Sequence, residues 1–331
     1  MTAIHIQGLG TYVPTKRITN VDLVDTNDEW IVSRTGIKAR HMLADDENGS
    51  DAGTEAALKA LEDAGIAAED ITHVLTATCT PDYLCPSTAC IISGKIGSHG
   101  AMAFDLNAAC TGFVYGLDVA NSILAGKPGA KVLLVGSEAF TRRLNWEDRT
   151  TCILFGDGAA AAVLTNGEAG TPKRCLPSAP RLRDVRCGAD GRQYPLLTVG
   201  GGTNRNYKPG DPVQDDFYLQ MQGREVFKQA VRSLSAVCSE LLEDNGLTLE
   251  DIDLFIPHQA NLRIIEAVGD RLKLESEKIF VNLDEYGNTS AASIPLGIGD
   301  ACAQGRIRPG SRVLLSAFGG GFTWGAALLE F

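Results

Sequence analysis

The chain has 331 residues, more than one hydrophobic core comfortably serves, so two lobes are expected. With 44% apolar residues, 21% charged residues and 36 glycines, the composition is that of a globular α/β protein, neither disordered nor fibrous. The 30 Lys and Arg against 41 Asp and Glu leave a net charge of −11, which excludes a nucleic-acid-binding surface over most of the chain. An acidic partner would need a local basic patch. Nine Cys without CxxC or other metal spacing, and five His, predict buried thiols in a reducing compartment, with no disulfide framework and no metal. The N-terminus lacks a basic leader, and no apolar run approaches the ~18 residues of a membrane span. A cytoplasmic protein without membrane contact is expected.

In chain order, Gly8-Leu9-Gly10 lacks the third glycine of a dinucleotide fingerprint, since Val13 stands in its place. Ala56, Ala57, Ala60, Leu61 and Ala64 predict an amphipathic helix that stops at Gly65, a glycine cap. Val74 to Thr78 reads as a fully buried strand. Ala103 to Leu106 is a second strand, followed by a turn through Asn107, Ala108 and Ala109. A helix with Phe113, Gly116, Leu117, Ala120 and Leu124 on one face comes next, then a strand over Lys131 to Val135. From about 165 to 215 Gly, Pro, Arg and Asp dominate and no period holds. This stretch is expected to connect two halves, with loops at Gly200–Gly202 and Lys208–Pro212 that cover a site. Beyond it, Arg224, Lys228 and Arg232 form a basic stripe on one helix, either a solvated face or a docking surface. Leu254 to Ile256, Ile279 to Asn282 and Arg312 to Ser316 are the remaining strands, with a helix after Ser290 and a glycine run at 319–321. Helices between buried strands imply crossovers and parallel pairing.

Comparing the chain with itself is the most informative step. LEDAGIAAEDI (61–71) aligns with LEDNGLTLEDI (242–252), and PGAKVLL (128–134) with PGSRVLL (309–315), both at a shift of 181. Two matches at one shift predict a duplication, with halves 1–170 and 215–331 joined by 171–214.

Three residues are candidates for chemistry. Cys110 sits at a strand-to-helix turn, where a helix dipole lowers a thiol pKa and the sulfur faces a cleft; the alternative is a buried structural Cys. His258 ends the strand 254–256, where α/β folds place ligand-binding groups; it could equally be a hydrogen-bonded structural residue. Asn288 lies between a strand and a helix and could be a turn residue or cap. The shift of 181 maps Cys110 onto Ala291, His258 onto Ala77, and Asn107 onto Asn288. If the halves pack about a pseudo-twofold axis, the two turns meet there with His258 beside them, forming one composite site from two copies. The glycines at 319–321 could supply a backbone N–H to the same place.

Six ordered segments give a resemblance over nearly the whole chain: TNDEWIVSRTGI (26–37), NAACTGF (107–113), FGDGAAAAVL (155–164), PHQANLRII (257–265), YGNTSAAS (286–293) and AFGGGFTWG (317–325). Together they resemble the β-ketoacyl-acyl carrier protein synthase III family. The resemblance implies the thiolase fold, a duplicated five-layer αβαβα architecture, in a cytoplasmic homodimer that starts type II fatty acid synthesis from acyl-CoA and malonyl-acyl carrier protein. No cofactor is implied, coenzyme A being part of a substrate. It further implies Cys110 as acylated nucleophile, with His258 and Asn288 completing the set and an oxyanion hole from the amides of Cys110 and Gly320. Trp30, Arg34 and Arg149 would hold coenzyme A. Gln259, Ala260, Asn261, Leu262 and Arg263, with Arg224 and Lys228, would meet the carrier protein. Phe155 and the partner subunit's residue before the proline matching Pro86 would line the acyl pocket. That residue is often a bulky aromatic; here it is Cys85, which leaves room for primers longer than acetyl. A Cys-His-Asn hydrolase, an acyltransferase of secondary metabolism and a catalytically silent carrier-protein-binding protein are the competing readings.

Overall fold

The computed structural model describes residues 3–23, 27–200 and 215–331. The expected loop Lys208–Pro212, most of Gly200–Gly202, and Thr26 of the first motif lie outside the described residues. The first half contains β1 (Ile4–Tyr12), β2 (Lys16–Thr19), α1 (Asp28–Thr35), β3 (Ala39–Met42), α2 (Gly49–Ala64), β4 (His73–Ala77), α3 (Thr88–Ile96), β5 (Met102–Leu106), α4 (Gly112–Gly126), β6 (Lys131–Glu138) and β7 (Gly158–Asn166). The rest comprises β8 (Arg181–Ala189), β9 (Leu197–Thr198), β10 (Gln220–Met221), α5 (Gly223–Asp244), β11 (Leu254–Pro257), α6 (Leu262–Leu272), α7 (Leu283–Tyr286), α8 (Ser293–Ala303), β12 (Arg312–Gly319) and β13 (Thr323–Glu330).

One sheet runs β11-β12-β13-β8-β1-β7-β6-β4-β5, its halves joined by the pairing of His5 with Arg181. Three apolar clusters divide it into layers. Helices α2 and α3 cover one face of the first half-sheet, through Ala56, Ala60, Ile92 and Val135. Helices α5 and α6 cover the outer face of the second, through Leu234, Leu241, Val268 and Leu314. Between the half-sheets lie α4 and α8, with Phe113, Leu117, Ile294 and Ile298 in one core with Leu134 and Leu315. The order α-β-α-β-α is the expected five-layer thiolase architecture, and a helix buried from Ser293 to Gly299, as α8 is, suits a middle layer. Gly8 and Gly10 serve this packing: a Cβ on either would lie 2.3 or 2.2 Å from the α2 backbone. They let a helix rest directly on a strand.

The parallel pairing expected of buried strands separated by helices is found, in β4 with β5 and β6 and in β11 with β12, while β1, β7, β8 and β13 are antiparallel to their neighbours. The structure corrects the sequence reading in two places. The segment 171–214 is not all connection, because β8 lies in the sheet beside β13, as β1 lies beside β7. Its Arg181, Arg183 and Arg186 pair with acids on β13 and α5, so charge hid an internal strand. Ile279–Asn282 is not a strand: a single bridge joins Ile279 to Phe255, and the chain then enters α7. Among the described residues, no helix is long and apolar enough to cross a membrane.

Candidate active site

The site is built on two equivalent turns. A short 3-10 turn at Ala109–Thr111 leads from β5 toward α4, and another at Ser290–Ala292 leads into α8. The shift of 181 carries the first onto the second, and Gly112 onto Ser293, the first residues of α4 and α8. Even the backbone strain repeats: Ala109 and Ser290, equivalent by the same shift, have φ of 49° and 50°, a region that non-glycine residues rarely occupy. The turns meet at Gly112, whose Cβ, if it had one, would lie 2.9 Å from that of Ala77 and 3.3 Å from that of Ala291. The counterparts of His258 and Cys110 thus both lie beside Gly112.

Cys110, His258 and Asn288 line one cavity of about 400 Å³. Each is held by its element. His258 follows β11, donates its backbone N–H to Ser316 at 2.7 Å, and its Nδ1 lies 2.7 Å from the Ser293 hydroxyl. Asn288 is fixed by its bridge to Phe155, and its Oδ1 accepts the Ser290 N–H at 2.8 Å, which leaves the Nδ2 hydrogens as the group available to a ligand. The Cys110 turn is clamped by Thr323, whose hydroxyl donates to the Ala108 carbonyl at 2.8 Å. A second cavity of about 170 Å³ adjoins Cys110 and includes Phe140, Phe155, Leu219 and Gly320. Cys110 and Gly320 therefore border one space.

Burial sets the electrostatics. It pushes the Cys110 thiol up to about 12, with the Glu138 charge adding to the rise and a hydrogen bond with Ser290 opposing it. Burial thus works against the lowering expected at a helix end. Burial drives His258 down to about 3, so its imidazole is neutral. Glu138, fully buried at the end of β6, is raised by burial to about 7. Its carboxylate accepts from Thr80 at 2.7 Å, from Ser290 at 2.9 Å and from the Cys79 N–H. Sequence reading missed Glu138, Ser290, Ser293 and Thr323. A carboxylate at the carboxyl end of a buried strand was the available signal for the first.

Trp30, Arg34 and Arg149 line the same cavity, the guanidinium carbons 4.6 and 5.3 Å from the Trp30 ring centroid. Ala260, Asn261 and Arg263 line it too, and Arg263 donates to the Ser33 carbonyl at 3.0 Å. Leu262 packs on Gly36. Gln259 departs from its expected role: it is buried, and its amide is spent on Pro257, Phe280 and Asn282. Arg224 and Lys228 are exposed on α5, Lys228 paired with Glu225. Cys85 is exposed and lines neither cavity of its own chain. All nine Cys are free thiols. Among the described residues, no group of three or more His, Cys, Asp or Glu could hold a metal.

Comparison with known proteins agrees with this geometry. Residues 104–179 match the family described as 3-oxoacyl-[acyl-carrier-protein (ACP)] synthase III, and residues 242–331 match its C-terminal portion. The chain is 59% identical to a beta-ketoacyl-[acyl-carrier-protein] synthase III of Nitratidesulfovibrio vulgaris, across 99% of this chain and 98% of that one. It superposes on the crystal structure of the Aquifex aeolicus synthase III with a TM-score of 0.88 at 41% identity, covering 99% and 100% of the two chains. The Thermus thermophilus structure gives 0.88 at 44%, covering 98% of each. With the paired turns, the three polar groups and full-length similarity in hand, the chain belongs to the β-ketoacyl-acyl carrier protein synthase III family, thiolase-fold acyltransferases that carry out the initiating condensation of fatty acid synthesis.

Proposed function

We propose that the enzyme joins an acyl-coenzyme A primer to malonyl-acyl carrier protein through an acyl thioester on Cys110. The observation that carries this reading is the convergence of Cys110, His258 and Asn288 on one cavity that Trp30, Arg34 and Arg149 also line. The aromatic ring and two cations suit the adenine and phosphates of coenzyme A. In the first half-reaction the Cys110 sulfur attacks the primer carbonyl, a C–S bond forms and coenzyme A departs. The amides of Cys110 and Gly320 stabilise the oxyanion, each such donor contributing roughly 3–4 kcal/mol.

In the second half-reaction malonyl-acyl carrier protein occupies the vacated cavity and loses CO2. The electron pair of the broken C–C bond becomes an enolate, which accepts hydrogen bonds from the Asn288 amide and the neutral His258 imidazole. Ser293 lies 2.7 Å from Nδ1; with the serine proton given to Nδ1, the ring proton stands on Nε2 for this purpose. A carboxylate at 288 would repel both malonate and enolate, which is why an amide stands there. The carbanion attacks the acyl carbon, Cys110 leaves as thiolate, and 3-ketoacyl-carrier protein is released. This ping-pong sequence calls for no metal or redox cofactor. In the same reading Arg224, Lys228 and Arg263 steer the acidic carrier protein, and the enzyme is a cytoplasmic homodimer in which Cys85 and Phe155 shape the acyl pocket. Intact-protein mass spectrometry after exposure to a panel of acyl-CoAs tests the reading. One acyl group on Cys110 is expected, and labelling of another Cys in Cys110→Ala overturns it.

A further inference from the structure

Arg40, on β3, is fully buried, yet no acid pairs with it among the described residues. Burying an unpaired cation is costly, and a side chain that only filled space here would be apolar. Its guanidinium reaches in two directions. Nη1 donates to the Asn20 Oδ1 at 2.8 Å, and Nη2 donates to the Ile153 carbonyl at 2.6 Å, while Nε has no partner. Asn20, also fully buried, passes the link on. Its Nδ2 donates to the Asp28 carboxylate in the first turn of α1, at 2.9 Å, and to the Ile37 carbonyl just past the end of that helix, at 2.7 Å. One buried chain of hydrogen bonds therefore runs from both ends of α1 through Asn20 and Arg40 to Ile153.

Both ends of that chain belong to the main cavity. Helix α1 carries Trp30 and Arg34, and Ile153 lines the cavity in the same stretch as Arg149. The stretch is a tight series of turns. The Asp148 carbonyl accepts the N–H groups of Thr151 and Cys152, its carboxylate accepts from Thr150, and the Thr151 carbonyl accepts the N–H of Leu154. Fixing Ile153 therefore fixes Arg149 with it. Arg40 itself lines neither cavity. We propose that Arg40 is a positioning residue that sets the separation of Trp30 from Arg149, and with it the affinity for the nucleotide end of the acyl-coenzyme A primer. A lysine carries its donors on one atom and cannot span two acceptors as the planar fork does, and an apolar side chain reaches neither. Helix α1 has further attachments, through Asn261 on the Arg34 carbonyl, Arg263 on the Ser33 carbonyl and the buried Ile31. Loss of Arg40 thus loosens the pair of walls without releasing the helix.

This role rests on the acyl-coenzyme A reading given under Proposed function, and the test separates the two. Single-turnover acylation of Cys110 is measured against concentration for acetyl-coenzyme A and for acetyl-pantetheine, which offers the same thioester without the nucleotide. Coenzyme A binding is measured beside it by calorimetry. In Arg40→Met the half-saturating concentration of acetyl-coenzyme A and the Kd of coenzyme A are expected to rise about tenfold or more, the effect of losing a hydrogen bond to a charged group. Acylation by acetyl-pantetheine stays within about twofold of wild type, because the turns that hold Cys110 are untouched. Arg40→Lys gives the same split, and so does Asn20→Ala, which breaks the chain from its other end. A cooperative thermal melt shows that a variant is folded; should Arg40→Met not fold, Asn20→Ala decides. Equal loss with both thioesters would make Arg40 a support of the fold alone, and full rescue by lysine would show that charge suffices without bridging; either overturns the proposal. A wild type that binds coenzyme A and is acylated while Arg40→Met matches it overturns the positioning role only. A wild type that does neither overturns the functional reading and this role together.

Discussion

Gly319→Ala isolates the contribution of the Cys110 turn without touching a polar group. Gly319 closes β12, and its φ is not positive, so alanine carries no conformational penalty there. Its Cβ, however, would lie 2.7 Å from the Cys110 nitrogen and 3.2 Å from the Ala108 carbonyl oxygen, both backbone atoms of the nucleophile's turn. Ordinary contact begins near 3.4 Å, so strand and turn must part by about 0.7 Å. The strand cannot yield, because Gly319 pairs with Thr323 on β13; the turn must move against the clamp from the Thr323 hydroxyl. Displacing the nucleophile and its amide by this distance is expected to slow acylation roughly 10²-fold, the usual effect of misplacement on the order of 1 Å. Single-turnover acylation by acetyl-CoA, read by intact-protein mass spectrometry, measures it. Gly94→Ala is the control, since its Cβ meets nothing within 4 Å in the exposed part of α3. It should leave the rate alone and add about 0.5–1 kcal/mol of stability. Acylation of Gly319→Ala within twofold of wild type would refute the idea that this turn's position limits the chemistry.

His258→Ala and Asn288→Ala should still acylate Cys110 yet lose about 10²–10⁴ in condensation rate, checked by CO2 release from malonyl-carrier protein; normal release without acylation would reverse the roles. Charge reversal at Arg263 or Lys228 should raise KM for malonyl-carrier protein and flatten its salt dependence while sparing acetyl-CoA use; equal damage to both substrates would refute a docking role. Cys85→Phe should narrow the acyl-CoA profile toward acetyl, because each buried methylene contributes about 0.8 kcal/mol; an unchanged profile would show that Cys85 does not bound the pocket. Asp63→Asn should cost about 2–4 kcal/mol in a denaturation titration, since buried Asp63 accepts the N–H groups of Leu9, Lys173, Arg174 and Cys175, and an amide cannot accept on both sides. A loss under 1 kcal/mol would show that the 173–175 segment is held by other contacts.

The duplication was legible because β6 and β12, with the helices before β4 and β11, kept enough of their sequence to align at one shift. That alignment alone brings Cys110, His258 and Asn288 to one place. The strand β8 was illegible because its arginines pair with acids on its neighbours, so charge masked a position inside the sheet. Glu138 escaped because a charged residue closing an apolar strand looks like a surface end, and its burial arises only when Thr80 and Ser290 arrive from distant segments. The burial that raises the Cys110 thiol was hidden for a related reason. The helix end is local and visible in the sequence, whereas desolvation is not.

The crowding at Gly112 has a consequence for what duplicated scaffolds can become. With no side chain of its own, Gly112 already leaves only the space of two methyl groups beside it, those of Ala77 and Ala291. An imidazole at 77 and a thiol at 291, the groups that would complete a mirrored second centre, need volume that the meeting turns do not leave. Two working centres cannot coexist on this axis at this spacing. The second copy therefore carries small residues where a mirrored centre would need bulk. An engineer seeking a bifunctional chain from such a scaffold would first have to pry the halves apart at Gly112, and would slacken the original centre in doing so.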